Sequence, residues 1–240
     1  MIDFHSHILP GIDDGSRSID MSRTLLERSG QIGVDRMIAT PHFYAQRETF
    51  DRFFEKRGAA LEQILRVKNE WQQIPVLHVG AEVYFFPGIG RADRLRELCV
   101  KGTDILLLEM PFEQWNRDVV SEVREIIERQ KLRIIIAHAE RYYGFQKNMS
   151  FWDEIMEMPV TVQLNTGTFS DFWKKKFCFK MLKERELILL GSDCHNPDAR
   201  PQNMDSGREV ILKKFGQQML DHIDREGETF LDAAGAAERY

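Results

Sequence analysis

The sequence predicts an α/β protein built on a parallel sheet, closed or nearly closed into a barrel of seven βα units. Three observations carry this reading. Seven short runs rich in Val, Ile and Leu alternate with stretches of helical apolar spacing. Several of those runs are almost continuously apolar, which is the pattern of strands covered on both faces. Six of the seven end in a His, Asp or Glu, and functional side chains gather at the C-terminal rim of such barrels. A chain of 240 residues with 42% hydrophobic content can bury one large core, so a single domain over 1–240 is expected, and no linker-like segment interrupts it.

The elements follow in order. Ile2 and Phe4 lie in the first strand, and His5 and His7 sit two residues apart, so both imidazoles leave an extended chain on one side. Pro10-Gly11 breaks the strand before Asp13, Asp14 and Gly15. Ser18 is the expected N-cap of a helix with Met21, Leu25, Leu26 and Ile32 on one stripe, ended by Gly33. Arg36–Thr40 reads as the second strand and runs into Pro41-His42. Phe50 to about Glu70 has the spacing of a long amphipathic helix. Val76–Ala81 is a strand that delivers Glu82, Ala92–Leu98 a short helix, and Ile105–Leu108 a buried strand that delivers Glu109. A helix over Val119–Gln130 precedes the strand Arg133–Ala137, which delivers His138. A helix near Phe151–Met158 leads to the strand Val160–Leu164, which ends at Asn165. The helix Phe172–Glu184 precedes the strand Leu187–Leu190, which delivers Asp193 and His195. Helices over Ser206–Phe215 and Gln217–Asp224 close the fold, and the tail from Ala233 is expected to fray.

Composition narrows the function. A net charge of −5 without basic stripes argues against a nucleic-acid partner. Cys99, Cys178 and Cys194 are odd in number and lack CxxC spacing, so no disulfide framework is expected and a reducing cytoplasm is the natural setting. No signal peptide precedes the first strand, and no apolar run approaches the roughly 20 residues of a membrane span. Direct membrane insertion is therefore not expected.

His5, His7, Asp14, His42, Glu82, Glu109, His138, Asp193 and His195 are the candidate metal ligands. Singly, each has a plainer reading: His42 as a loop histidine, Glu82 and Glu109 as strand-end acids. Together, their placement at successive strand ends favours metal. Mixed imidazole and carboxylate sets suit Mn²⁺, Fe, Zn²⁺ or Mg²⁺. Nine ligands exceed what one ion with open positions takes, so two to three divalent ions are expected. Closely spaced ions suit hydrolysis of a phosphate ester. His78 and His222 lack such placement and read as structural or exposed.

HSHILPGIDDG at 5–15, PH at 41–42, GAE at 80–82, ILLLEM at 105–110, AHAERY at 137–142 and GSDCHN at 191–196 together resemble the PHP (polymerase and histidinol phosphatase) superfamily. Within it the chain is most similar to the metal-dependent bacterial protein-tyrosine phosphatases of capsule and exopolysaccharide loci, over roughly residues 1–225. The resemblance implies a distorted (β/α)7 TIM-like barrel with a trinuclear centre. His5, His7, Glu82 and Asp193 would hold one ion. Glu82 would bridge to a second, completed by Glu109 and His138, and Asp14, His42 and His195 would hold the third. Manganese is the first expectation, with iron, zinc or magnesium as alternatives. Arg141 and Arg200 would grip the substrate phosphate, a task suited to the forked guanidinium.

The implied reaction is attack of a metal-bridging hydroxide on the phosphorus of phosphotyrosine. The implied partner is the phosphorylated C-terminal tail of a bacterial tyrosine kinase, in the control of capsular or exopolysaccharide synthesis. One departure stands out: where the tyrosine phosphatases usually carry a short basic loop after the second strand's histidine, this chain has Phe43-Tyr44-Ala45-Gln46-Arg47. Competing readings are a histidinol-phosphate or other small phosphomonoester phosphatase, a metal-dependent nuclease disfavoured by charge, and a non-enzymatic phosphotyrosine-binding regulator. Cys194 to Arg200 also matches the Cys-x5-Arg pattern of cysteine-based phosphatases. Pro197 has no N–H to offer a phosphate, Asp198 would repel one, and the segment lacks glycines, so the match reads as accidental.

Overall fold

The structure, a computed structural model, describes residues 1–235 and 240. Its strands are β1 (Ile2–Ser6), β2 (Arg36–Ala39), β3 (His42–Phe43), β4 (Val76–Val79), β5 (Glu82–Tyr84), β6 (Ile105–Glu109), β7 (Arg133–Ile136), β8 (Val160–Asn165) and β9 (Ile188–Gly191). Its helices are α1 (Ile19–Gln31), α2 (Phe50–Val67), α3 (Arg117–Glu128), α4 (Ser150–Met156), α5 (Lys174–Glu184), α6 (Met204–Phe215) and α7 (Gln217–Ala233). All strand pairs are parallel, as the alternation of strands and helices requires.

The strands form two sheets, of order β1-β2-β4 and β3-β5-β6-β7-β8-β9, rather than one closed barrel. The division has a local cause. Pro41 has no N–H for a ladder, so the second expected strand stops at Ala39 and pairing resumes with His42, after Thr40 and Pro41. The third expected strand breaks likewise at Gly80-Ala81, which yields the two short strands β3 and β5. Hydrogen bonds stitch the sheets along both borders. On one, Glu82 N–H of β5 donates to Pro41 O, just after β2, at 3.0 Å. On the other, Asp193 N–H donates to His5 O at 2.8 Å and His7 N–H to Cys194 O at 2.9 Å.

Strand burial follows the apolar runs. Ile105 and Leu107 of β6 join one apolar cluster with Ile2, Phe4, Ile38 and Ile135, while Leu106 and Leu108 join another with Ile134, Ile136 and Leu164. Both faces of the strand are covered, which is why its sequence does not alternate.

Helix α1 starts where expected, with Ser18 Oγ accepting from Met21 N–H at 3.2 Å. Two elements differ from expectation. Ala92–Leu98 is not an α-helix; single 3₁₀ turns occupy Ile89–Arg91 and Leu95–Leu98. Helix α7 runs to Ala233 instead of ending at Asp224. A Cβ at Gly227 would lie 3.1 Å from Phe4 Cε2, so the glycine inside this helix serves close packing of α7 on β1. The tail expected to fray falls partly at 236–239, outside the described residues. Tyr240 is tied down, donating from its N–H to Leu77 O at 2.9 Å and accepting from Leu77 N–H at 3.0 Å. No helix among the described residues is long and apolar enough to cross a membrane.

Candidate metal centre

All nine candidate ligands meet at the C-terminal ends of the strands. Strand register brings His42 of β3 directly beside Glu82 of β5, and places Glu109 of β6 beside Tyr84. His138 and Asp193 follow β7 and β9 in left-handed backbone, with φ of 30° and 53°. Non-glycine residues adopt that conformation at a cost, and such outliers concentrate at functional sites. Gly191, just before, cannot carry a side chain: its Cβ would stand 2.7 Å from His5 Cβ. Four sets of ligand atoms lie within 4.8 Å of one another: His7, Asp14, His42 and His195; His5, Glu82 and His138; His5, His7 and Asp193; and His42, Glu82 and Glu109.

The tautomers can be worked out from the partners. Gln163 Nε2 donates to Asn165 Oδ1 at 2.8 Å, so its Oε1 is the acceptor that faces His5 Nδ1 at 3.1 Å. His7 Nδ1 lies 2.7 Å from the Asp13 carboxylate. His195 Nδ1 donates to Asp193 O at 3.0 Å. In the neutral form of each ring Nδ1 carries the hydrogen, which leaves a lone pair on Nε2. Yet His5 Nε2 and His7 Nε2 face each other at 3.0 Å, and His195 Nε2 is buried with no hydrogen-bond partner. Glu82 Oε2 lies 3.2 Å from each of His5 Nε2 and His7 Nε2 and 2.9 Å from His42 Nδ1, without hydrogen-bond geometry to any of them. Glu109 Oε2 is likewise buried and unpaired.

Buried polar atoms nearly always find partners. Here lone pairs converge on one another instead, and the shared deficiency is of positive charge. The donor set therefore fits divalent cations.

Electrostatics agree. Burial resists ionisation of Glu82, but His5 and His42 hold its carboxyl well below the usual range. Burial and then the neighbouring Glu82 push Glu109 up to about 8. Burial also resists charging His7, but Asp13 and Glu82 outweigh it and lift the imidazole to about 10, so without an ion a proton sits on Nε2 among these groups, and a bound cation would displace it. The His195 ring, with its Nε2 3.4 Å from the Asp14 carboxylate, lowers Asp14 to about 2.

Arg141 and Arg200 both reach this rim. Arg141 Nη2 donates to Asp193 Oδ2, and Arg200 Nη2 to Asp193 Oδ1 at 2.7 Å. Asn165 Nδ2 adds a bond to Asp193 Oδ2 at 2.8 Å. Beside the cluster a cleft of about 450 Å³ is bordered by Asp14, His42, Tyr44, Arg47 and Arg52. Arg47 stacks over Tyr44 at 4.5 Å, so the unusual loop after β3 still brings basic side chains to the rim.

Sequence reasoning passed over the supporting side chains. Asp13 is buried against His7 and also accepts from His42 N–H at 3.0 Å, whereas Asp14 is exposed. Tyr142 Oη meets His138 Nδ1 at 2.9 Å, and Gln163 also accepts from His138 N–H at 2.8 Å. The available signals were a glutamine inside a buried strand and a tyrosine four residues after a candidate ligand. Cys194 is fully buried, and burial pushes its thiol far above the ordinary range, so it cannot serve as a thiolate nucleophile. His78 is buried beside Arg36, and His222 bonds Glu186 O at 2.8 Å on the surface of α7.

A parallel α/β fold with a rim of imidazoles and carboxylates suited to divalent ions defines the class. A family model described as "Capsular polysaccharide synthesis, CpsB/CapC" matches residues 1–230, and the chain belongs to that family. It is 28% identical over 232 residues to the tyrosine-protein phosphatase CpsB of Streptococcus pneumoniae, covering 93% of this chain and 94% of that one. It is 25% identical over 244 residues to the tyrosine-protein phosphatase YwqE of Bacillus subtilis, covering 96% and 91%. In three dimensions it matches a chain from the crystal structures of YwqE and CpsB, described as unique metal-dependent tyrosine phosphatases. The TM-score is 0.76 at 23% identity, over 91% of this chain and 89% of that one.

Proposed function

We propose that the protein is a metal-dependent protein-tyrosine phosphatase that acts on the phosphorylated C-terminal tail of a bacterial tyrosine kinase in capsular or exopolysaccharide synthesis. The observation that carries this is the convergence of buried, unpaired imidazole and carboxylate lone pairs beside two arginines at one rim. Membership of the capsular family and the names of the relatives support the substrate class.

His5, His7, Glu82 and Asp193 would hold one ion, Glu82, Glu109 and His138 a second, and Asp14, His42 and His195 a third, with manganese the first choice. Bound divalent ions supply activation of water near neutral pH and neutralisation of phosphoryl charge. The chain's own residues do the rest. Gln163, Asp13 and the Asp193 carbonyl fix the hydrogens on Nδ1 of His5, His7 and His195, so that each Nε2 is available as a ligand. Arg141 and Arg200 bind the phosphoryl oxygens, where charge builds during transfer. The phenol of tyrosine, with a pKa near 10, leaves with little proton assistance.

The interrupted pairs β2/β3 and β4/β5 each count as one stave in this reading, giving a distorted seven-stave barrel of the PHP type as one domain over 1–240. Three free cysteines fit a cytoplasmic setting. The test is phosphate release from a phosphotyrosine peptide and from histidinol phosphate, each with Mn²⁺. Selective, efficient turnover of the peptide is expected; preference for histidinol phosphate would overturn the protein-phosphatase assignment.

A further inference from the structure

The surface next to Arg141 carries a feature that the metal centre does not require. Seven large hydrophobic side chains are exposed among the described residues, and five of them are aromatics of two neighbouring segments and one adjoining loop: Phe112, Tyr143, Phe145, Phe172 and Trp173. Trp173 is 75% exposed and Phe172 59%. Soluble proteins rarely leave so large a contiguous apolar patch without a partner for it. The patch is concave. Arg141, Tyr143, Phe145, Trp173, Lys176 and Lys180 border a groove of about 660 Å³.

The groove is continuous with the metal rim. Phe145 packs edge-on against Phe112 at 6.2 Å, and Phe112 lies over the ligand His138 at 6.1 Å. Arg141 itself belongs to both, lining the groove while it bonds Asp193.

Its charge is positive in a chain whose net charge is −5. Lys180 pairs with Glu184 at 3.8 Å, but Lys174, Lys175 and Lys176 make no ion pair among the described residues. Lys175 and Lys176 lie over the Phe172 ring at 5.6 and 5.3 Å, and Lys176 also over Trp173 at 5.3 Å. The one acidic residue in the lining, Glu140, is buried and accepts from Thr168 Oγ1 at 2.9 Å, so it does not neutralise the opening. Asp171 is occupied in accepting from the N–H groups of Trp173 and Lys174 at the start of α5.

We infer that this groove docks the acidic polypeptide segment flanking the phosphotyrosine, with aromatic rings contacting the chain and Lys174 and Lys176 meeting its carboxylates. This rests on the phosphatase reading above. A phosphotyrosine held at Arg141 brings its sequence neighbours, about 3.3 Å apart along an extended chain, over this surface within a few residues. A concave site joined to the reaction centre suits a peptide better than a membrane face, which would need a convex or flat apolar surface.

The test compares three substrates: a phosphotyrosine peptide with Asp and Glu on both sides, the same peptide with Ser and Gly there, and p-nitrophenyl phosphate. The variants are Trp173→Ala and the double exchange Lys174→Glu with Lys176→Glu, all at exposed positions. The wild-type KM should be about tenfold lower for the acidic peptide than for the neutral one. Either variant should raise the acidic-peptide KM by about tenfold, the loss of one good contact. The kcat values and p-nitrophenyl phosphate kinetics should stay within about twofold of wild type. Equal wild-type KM values for both peptides, or variants that slow p-nitrophenyl phosphate in parallel, would overturn the docking role.

Anisotropy of the labelled acidic peptide separates the two readings. Binding that Trp173→Ala abolishes, in a protein that hydrolyses no phosphotyrosine, would uphold the groove and sink the phosphatase assignment. Binding of anionic phospholipid vesicles through Trp173, with no affinity for the acidic peptide, would overturn the groove as a peptide site.

Discussion

Strand β1 and the residue that follows it carry two kinds of buried polar side chain within five residues. Asp3 is fully buried, and burial raises its pKa, but each of its oxygens has neutral donors. Oδ1 accepts from Ser192 N–H at 2.9 Å and His5 N–H at 3.2 Å, and Oδ2 from Ser192 Oγ at 2.6 Å and Gln202 Nε2 at 2.9 Å. Gln202 reaches on to Ser29 Oγ at 3.0 Å, so Asp3 ties β1 to the loop after β9, the segment before α6, and α1. His5 and His7 are equally buried, but their Nε2 atoms face each other and the unpaired Glu82 oxygen. Burial is the same in both places; satisfaction of the buried atoms differs. A closed hydrogen-bond set marks a structural joint, and a set of converging lone pairs marks a site that takes cations.

Substitutions on the two sides of this contrast should have opposite consequences. His5→Ala or Asp193→Ala should lower kcat/KM on a phosphotyrosine peptide on the order of a thousandfold, through loss of several kcal/mol of metal-dependent stabilisation. Near-normal turnover in either variant, with metal content confirmed, would refute the ligand assignment. Arg141→Ala or Arg200→Ala should cost about a hundredfold in kcat/KM while leaving bound metal unchanged, as measured on dialysed protein. Asp13→Asn should weaken metal affinity or activity about 10- to 100-fold, because it releases the His7 ring rather than removing a ligand. Asp3→Ala should behave in the opposite way. Denaturant unfolding should show a loss of about 1–3 kcal/mol from stranded Ser192 and Gln202 donors, with metal affinity little changed; a metal defect without a stability defect would erase the distinction drawn above. The smallest effect is expected for Cys194→Ser, whose phosphatase activity per folded, metal-loaded molecule should stay near wild type.

The apolar strand runs and the ionisable residues closing them were legible because most strands are buried on both faces and a candidate ligand stands at the end of most. Asp13 and Asp14 show where legibility stops. Adjacent carboxylates look alike in sequence, and only the loop geometry sends Asp13 inward to His7 and leaves Asp14 at the surface. Gln163 does not ionise, so nothing in its type announced that it orients His5 and holds the His138 backbone. The split of the second strand was signalled by Pro41, and the last helix was ended at Asp224 although α7 runs on through Gly227, which packs against Phe4. The aromatic groove was hidden for another reason: its walls come from positions 112, 141–145 and 172–180, which only the tertiary fold brings together.

The most direct measurement is metal stoichiometry followed alongside turnover. Protein stripped with chelator would be titrated with Mn²⁺ while bound ions and phosphotyrosine-peptide hydrolysis are recorded together. Two to three ions per chain, activity returning in step with them, and at least one fewer ion in His5→Ala is the expected result. Full activity in thoroughly stripped protein, or no tight ion at all, would contradict the metal centre.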